Sequence, residues 1–207
     1  MVLSSAALRA QANSIYKVPI DQGQELESLL DLIRPLHYRH GFIEIGAGAG
    51  GSFDVFASVI EGPAISIDYY DAYSSDPVEA VWGRRNLRSH RERHWRNRHN
   101  NVHALFRPST FEETWMDVQD ILGDQQVDFL FIDGRWQDVT ENFEGYSQFV
   151  RKGGIVAIHC ILQDRPDAEP VRALWKRLKE SYSNTIEFPY GPHSSGRSVG
   201  GTGVIYV

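Results

Sequence analysis

Phe42-Ile43-Glu44-Ile45-Gly46-Ala47-Gly48-Ala49-Gly50-Gly51 is the stretch that decides how this chain folds. A short apolar run carrying one acid, Glu44, stops in four glycines within six residues. Apolar and β-branched side chains favour a buried strand. Glycine lets the backbone turn tightly and lets a ligand approach where a Cβ would collide. Ser52-Phe53-Asp54-Val55-Phe56-Ala57 then reads as the first turns of a helix. A glycine turn between a strand and a helix suits a nucleotide-like ligand.

Working outward, strand-like runs alternate with helical stretches. Strands are expected at 42–45, 64–67, 102–106, 127–132 and 155–158, the last after a turn at Gly153-Gly154. Helices are expected at 24–36, 52–60, 77–98, 111–122, 138–150 and 168–181. Such alternation implies a parallel sheet with helices on both faces. The ending differs. Two last strands, 185–188 and 203–207, are joined by a Gly/Ser/Pro-rich stretch with no helical pattern, so the final strand should enter antiparallel. The expected whole is one α/β domain over 1–207, with residues 1–38 forming an N-terminal helical extension and the first helix.

Composition narrows the function classes. No apolar stretch approaches the roughly 20 residues that span a bilayer, so no membrane role is expected. The N-terminus lacks a basic region followed by a long apolar core, which reads as no secretory signal. A single cysteine, Cys160, excludes an intramolecular disulfide and fits a reducing compartment, so a cytoplasmic location is expected. The net charge of −6 hides an asymmetry. Residues 84–98 hold Arg84, Arg85, Arg88, Arg91, Arg93, Arg96 and Arg98 against one acid, Glu92. A globally acidic chain argues against sequence-blind nucleic-acid binding, whereas a local arginine cluster permits an anionic partner.

In an open α/β sheet, ligands bind beyond the carboxyl ends of the strands. Five consecutive strands deliver glycine or polar residues to that edge: the turn at 46–51, Asp68, Pro108-Ser109-Thr110, Asp133 and His159-Cys160. Asp68 lies 22 residues beyond Gly46, near the roughly 20-residue offset at which an acid accepts the hydroxyls of a ribose. Tyr69, Tyr70 and Asp71 follow it and could stack on or hydrogen-bond an adenosine. Gly46, Gly48 and Gly51 match G-x-G-x-x-G, a dinucleotide pattern; Glu44, Gly46, Gly48 and Gly50 match E-x-G-x-G-x-G.

The second pattern resembles motif I of the class I S-adenosylmethionine (SAM) methyltransferases. The segment 127–134 (VDFLFIDG), then Phe143 and Tyr146, then 150–159 (VRKGGIVAIH), together with Trp175 and the closing GVIYV, is similar to the cephalosporin-hydroxylase-like and sugar O-methyltransferase group. That resemblance covers about residues 20–207. It implies a Rossmann-like, mostly parallel seven-stranded sheet with an antiparallel C-terminal strand, and SAM as cofactor. Glu44, Gly46, Gly48 and Gly50 would surround the amino-acid part of SAM, Asp68 its ribose, and Ser109 or Thr110 its adenine edge; Ser52, Tyr69 and Asp133 are also expected at the cofactor.

The departures bear on mechanism. Relatives carry Asp-His where this chain has Arg135-Trp136, and His-Asp where it has His159-Cys160. Arg135 and Trp136 are therefore expected to shape the acceptor pocket, with Arg135 suiting an anionic acceptor. Several relatives hold a divalent metal at these strand ends. Mg²⁺ wants hard oxygen ligands, and only Asp133 supplies one here, so no metal is expected; a metal bound here would take Asp133, His159 and Cys160. Methyl transfer needs a group that takes the acceptor's proton. His159, with an ordinary pKa near 6.5, and Asp133, the residue also expected beside the cofactor's methyl group, are the catalytic candidates. The leading expectation is O-methylation of a small-molecule or saccharide acceptor, with a homodimer compatible with the sequence. The alternatives are an RNA or nucleotide methyltransferase using the Arg84–Arg98 patch, a SAM-binding protein without catalysis, and an NAD-dependent oxidoreductase.

Overall fold

The computed structural model describes residues 3–16, 23–69, 91–189 and 200–207. Tyr70, Asp71, Arg84, Arg85, Arg88 and most of the Gly/Ser/Pro-rich stretch before the last strand lie outside the described residues, as does most of the helix expected at 77–98.

Seven strands form one sheet: β1 (Phe42–Ile45), β2 (Ala64–Ile67), β3 (Val102–Leu105), β4 (Val127–Ile132), β5 (Val150–His159), β6 (Thr185–Phe188) and β7 (Thr202–Tyr206). Their spatial order is 3-2-1-4-5-7-6. The first five are parallel, and β7 runs antiparallel to both β5 and β6. This is the Rossmann-like sheet that the resemblance implies, and its parallel part is what the alternation of apolar runs implies. Strand order reverses between β1 and β4, which opens a crevice at their carboxyl ends.

Helices α1 (Ser5–Tyr16), α2 (Gly23–Ile33) and α3 (Gly51–Ala57), with α4 at residues 91–98, lie with one face of the sheet; α5 (Glu112–Leu122), α6 (Val139–Tyr146) and α7 (Glu169–Ser181) lie with the other. Period-two alternation assigns each strand side chain to one of two cores. Ile43 and Ile45 join the core with Val118, Phe143 and Leu174. Phe42 joins the opposite one, where its ring centroid lies 5.0 Å from Phe53 and 5.9 Å from Phe56.

Two of the boundaries that differ from the sequence pattern have a local physical cause. Gly153-Gly154 is not a turn ahead of a strand starting at 155, because β5 already begins at Val150. Two steps along β4, Val127 to Phe129, are matched by five along β5, Val150 to Ile155. Gly153 takes φ +82° inside this irregularity, a conformation open to glycine at little strain. The helix expected at 24–36 closes as a 3-10 turn, Arg34–Leu36, because Pro35 removes a backbone donor.

Candidate functional site

The parallel ladder continues one residue past each strand and sets the site. Gly46 N donates to Ile67 O (2.8 Å), Asp133 N to Ile45 O (2.8 Å), and Asp68 N to Leu105 O (3.0 Å). Three residues singled out in the sequence are thus carried to one edge by hydrogen bonds. Gly46 has φ +90°, and a Cβ there would collide with the main-chain carbonyl of Asp133. The glycine turn and the end of β4 can approach only because Gly46 has no side chain.

A cavity of about 540 Å³ opens at this edge, within the range of small-molecule sites. Of the candidate residues, Gly46, Gly48, Asp68, Tyr69, Ser109, Thr110, Asp133 and Arg135 line it. The Ser109 loop is held by Tyr146, whose buried hydroxyl donates to Ser109 O at 2.6 Å. Phe111 and Asp138 complete the far wall.

The remaining candidates stand behind the walls. Glu44 is fully buried, and its Oε1 accepts from Ser52 Oγ at 2.5 Å. Burial pushes its pKa up to about 8, against the opposing pull of the Ser52 hydrogen bond, so Glu44 is neutral below that pH. Ser52 therefore faces Glu44 rather than the cavity. Gly50 is covered by Trp95, whose indole Nε1 donates to Gly50 O at 3.1 Å. Trp136 lies under the guanidinium of Arg165, 5.1 Å from ring centroid to Cζ.

His159 also differs from expectation. It does not line the cavity; it is 8% exposed, and both ring nitrogens face carboxylates. Nδ1 lies 2.8 Å from Asp133 Oδ1, and Nε2 lies 3.6 Å from Glu25 Oε2, an ionic contact longer than a hydrogen bond. Burial pulls the histidine's pKa down, but the charge and hydrogen bond of Asp133 outweigh it and raise the pKa well above its ordinary value. A histidine held as a cation has no lone pair with which to take a proton. Asp133, not His159, is the titratable group of this pair that meets the cavity.

Glu25 and Arg91 are functional candidates that reading the chain by strand ends misses. Glu25, on α2, is 2% exposed; its Oε1 accepts from Gly201 N (3.2 Å) and its Oε2 from Thr202 Oγ1 (2.7 Å). Burial raises its pKa, while His159 and these two hydrogen bonds pull it back. A signal was present: Glu25 lies four and eight residues ahead of Leu29 and Ile33, in line with the buried face of its helix. Arg91 comes from the arginine run, yet it is fully buried and pairs with Asp68 at 2.8 Å. Arg98 likewise pairs with buried Asp54 at 2.9 Å, and Arg96 with Glu92 at 3.1 Å.

Among the described residues, Asp133, His159 and Cys160 each offer one ligand atom within 4.8 Å of the others. The set has one hard oxygen, one imidazole and one thiol, and the imidazole Nδ1 faces the carboxylate rather than a shared centre. It does not fit Mg²⁺, which takes oxygen ligands in octahedral array.

A family model for the methyltransferase domain matches residues 43–161, more than half of the chain. The chain belongs to that methyltransferase-domain family. A search of curated proteins finds no match. Among solved structures, the chain is similar to the O-methyltransferase TomG of Streptomyces achromogenes in complex with SAM, with TM-score 0.65 and 18% identity over all of this chain and 91% of that one. It is also similar to an O-methyltransferase of Bacillus cereus in complex with S-adenosylhomocysteine (SAH), with TM-score 0.63 and 15% identity over all of this chain and 92% of the other. At these identities the likeness concerns the fold. No described helix is long and apolar enough to cross a membrane.

Proposed function

We propose that this methyltransferase-family chain binds SAM in the cavity at the carboxyl ends of β1, β2 and β4 and methylates an oxygen of a small-molecule acceptor. The observation that carries the reading is the convergence of the Gly46–Gly48 turn, Asp68 and Asp133 on that cavity. The glycine turn is a cradle that a Cβ would fill, and Asp68 offers an acceptor-only group suited to ribose hydroxyls. SAM supplies a methyl group on a sulfonium sulfur, an electrophilic carbon next to a good leaving group.

The chain's own residues supply alignment and proton removal. Asp133 takes the acceptor's proton from the cavity side. His159, gripped between Asp133 and Glu25, fixes the orientation of the Asp133 carboxylate. Arg135 stands half-exposed at the rim, 3.8 Å from Asp138, and suits an acidic or sugar-containing acceptor. The pairing of Arg91 and Arg98 with buried acids turns those side chains away from an RNA backbone.

Calorimetric titration with SAM, SAH and NAD tests the reading. SAM and SAH should bind at micromolar concentration and NAD should not. A protein indifferent to both SAM and SAH at millimolar concentration overturns it. Radiolabelled methyl transfer to a panel of catechols, hydroxy acids and sugars then reads the acceptor class.

A further inference from the structure

The arginine run at 84–98 suggests a solvated or phosphate-binding surface, and its first described member does neither. Arg91, the first described residue of α4, is fully buried, with its guanidinium 5.4 Å from the ring centroid of Trp95 and 5.0 Å from that of Phe106. A single nitrogen, Nη1, donates to Gly48 O at 2.5 Å and to Asp68 Oδ2 at 2.8 Å. The same Asp68 oxygen accepts from Gly48 N at 2.9 Å. Both main-chain polar groups of Gly48, one carboxylate oxygen and one guanidinium nitrogen therefore close a ring of hydrogen bonds across the β1 and β2 ends.

We propose that Arg91 is a positioning residue of the donor pocket, fixing Asp68 against the glycine turn so that recognition of an adenosine ribose depends on α4. The inference rests on the SAM-binding reading above. The physics is one of preorganisation. With Oδ2 tied to Gly48 and Arg91, the carboxylate plane cannot rotate, and the direction of its other oxygen is set before a ligand arrives. Arginine suits the post because its planar fork stays charged when buried and can lie between two aromatic faces. Burial holds the Asp68 pKa above its ordinary value, and the Arg91 charge and hydrogen bond limit that rise. The arrangement therefore keeps a buried acid available as an acceptor.

The test is a double-mutant cycle on SAH affinity, measured by calorimetry on wild type, Arg91→Met, Asp68→Ala and the double variant. Arg91→Met should weaken SAH about 10- to 100-fold, the scale of losing a hydrogen bond to a charged group. It should weaken 5′-methylthioadenosine, which carries only the nucleoside half, by a similar factor. In the Arg91→Met background, Asp68→Ala should cost less than about 3-fold further, because the two act as one unit. Arg91→Lys, which keeps a cation, should recover part of the loss and guards against a Met variant that does not fold. Arg98→Met, on the same helix but paired with Asp54, should lower the unfolding midpoint and leave SAH affinity within about 3-fold. If wild type binds SAH and both Arg91 variants bind it equally well, the inference fails while the SAM reading stands. Independent, additive losses for Arg91 and Asp68 also overturn it. If wild type itself ignores SAH, the underlying reading fails first.

Discussion

The two halves of the cavity are built on opposite electrostatic plans. On the β1–β2 side, acids are neutralised: Glu44 by a proton, with its pKa pushed up to about 8, and Asp68 by the buried cation of Arg91. On the β4–β5 side, one histidine cation sits between two acids, Asp133 and Glu25. A cationic sulfonium placed between the halves would face attraction from Asp133 without a competing charge from Glu44. The first half is rigid and balanced, as a binding platform needs to be. The second holds the group that meets the acceptor.

Joining the halves rigidly is the task of Gly46, so its substitution should do the most damage. Gly46→Ala forces a Cβ onto the Asp133 carbonyl at φ +90°, adding backbone strain to overpacking. A loss of about 3–5 kcal/mol of stability is expected, read by urea unfolding, together with loss of SAM binding. A variant as stable as wild type would mean that the two strand ends are not locked together. Next in size is Glu44→Gln. The folded pKa lies above the ordinary 4.5, so the native state binds more protons than the unfolded one between about pH 4.5 and 8. Stability attributable to Glu44 is therefore lost as pH rises through that window. Glu44→Gln should flatten this fall and exceed wild type at pH 7 by about 3 kcal/mol. Parallel pH profiles for the two proteins would show that Glu44 titrates normally.

Asp68→Ala sharpens the comparison from the ligand's side. It should weaken SAM by about 1–3 kcal/mol, measured calorimetrically, and leave the β4–β5 half intact. Unchanged affinity would make Asp68 purely a partner for Arg91 and Gly48.

The same division governs what could be read from the sequence. The β1–β2 half was legible because its parts are local: an apolar strand, a glycine turn, and an acid 22 residues on, at the end of the next strand. Period and turn chemistry also located β4, and the lack of a helical pattern in the sequence between the last two strands announced the antiparallel β7. The β4–β5 half was legible only in part. Asp133 and His159 stood at strand ends, but Glu25 reaches Thr202 across 177 residues of chain, a proximity no local pattern encodes. That contact also brings a second acid to within 3.6 Å of His159 Nε2, beside a histidine that Asp133 holds as a cation rather than leaving it a base. Arg91 was hidden for a different reason. It sits in a polar, arginine-rich run of sequence, and burial of one member depends on the aromatic faces of Trp95 and Phe106 beside it.

The smallest effect separates His159 as a cation from His159 as a base. Its folded pKa is raised above the ordinary 6.5, so the stability it contributes is fully present below about pH 6.5 and is lost as pH climbs through the folded value. His159→Gln should therefore be less stable than wild type by about 1–2 kcal/mol at pH 6, with the gap closing toward alkaline pH. Urea midpoints at pH 6 and pH 9.5 read it directly. The proton bookkeeping gives the sign its meaning: a neutral base buried beside Asp133 would show no such gap at pH 6 or one that widens with pH. In that case the β4–β5 half of the site would hold two acids with no cation between them, and its contrast with the Asp68–Arg91 pair would be larger than the present geometry implies.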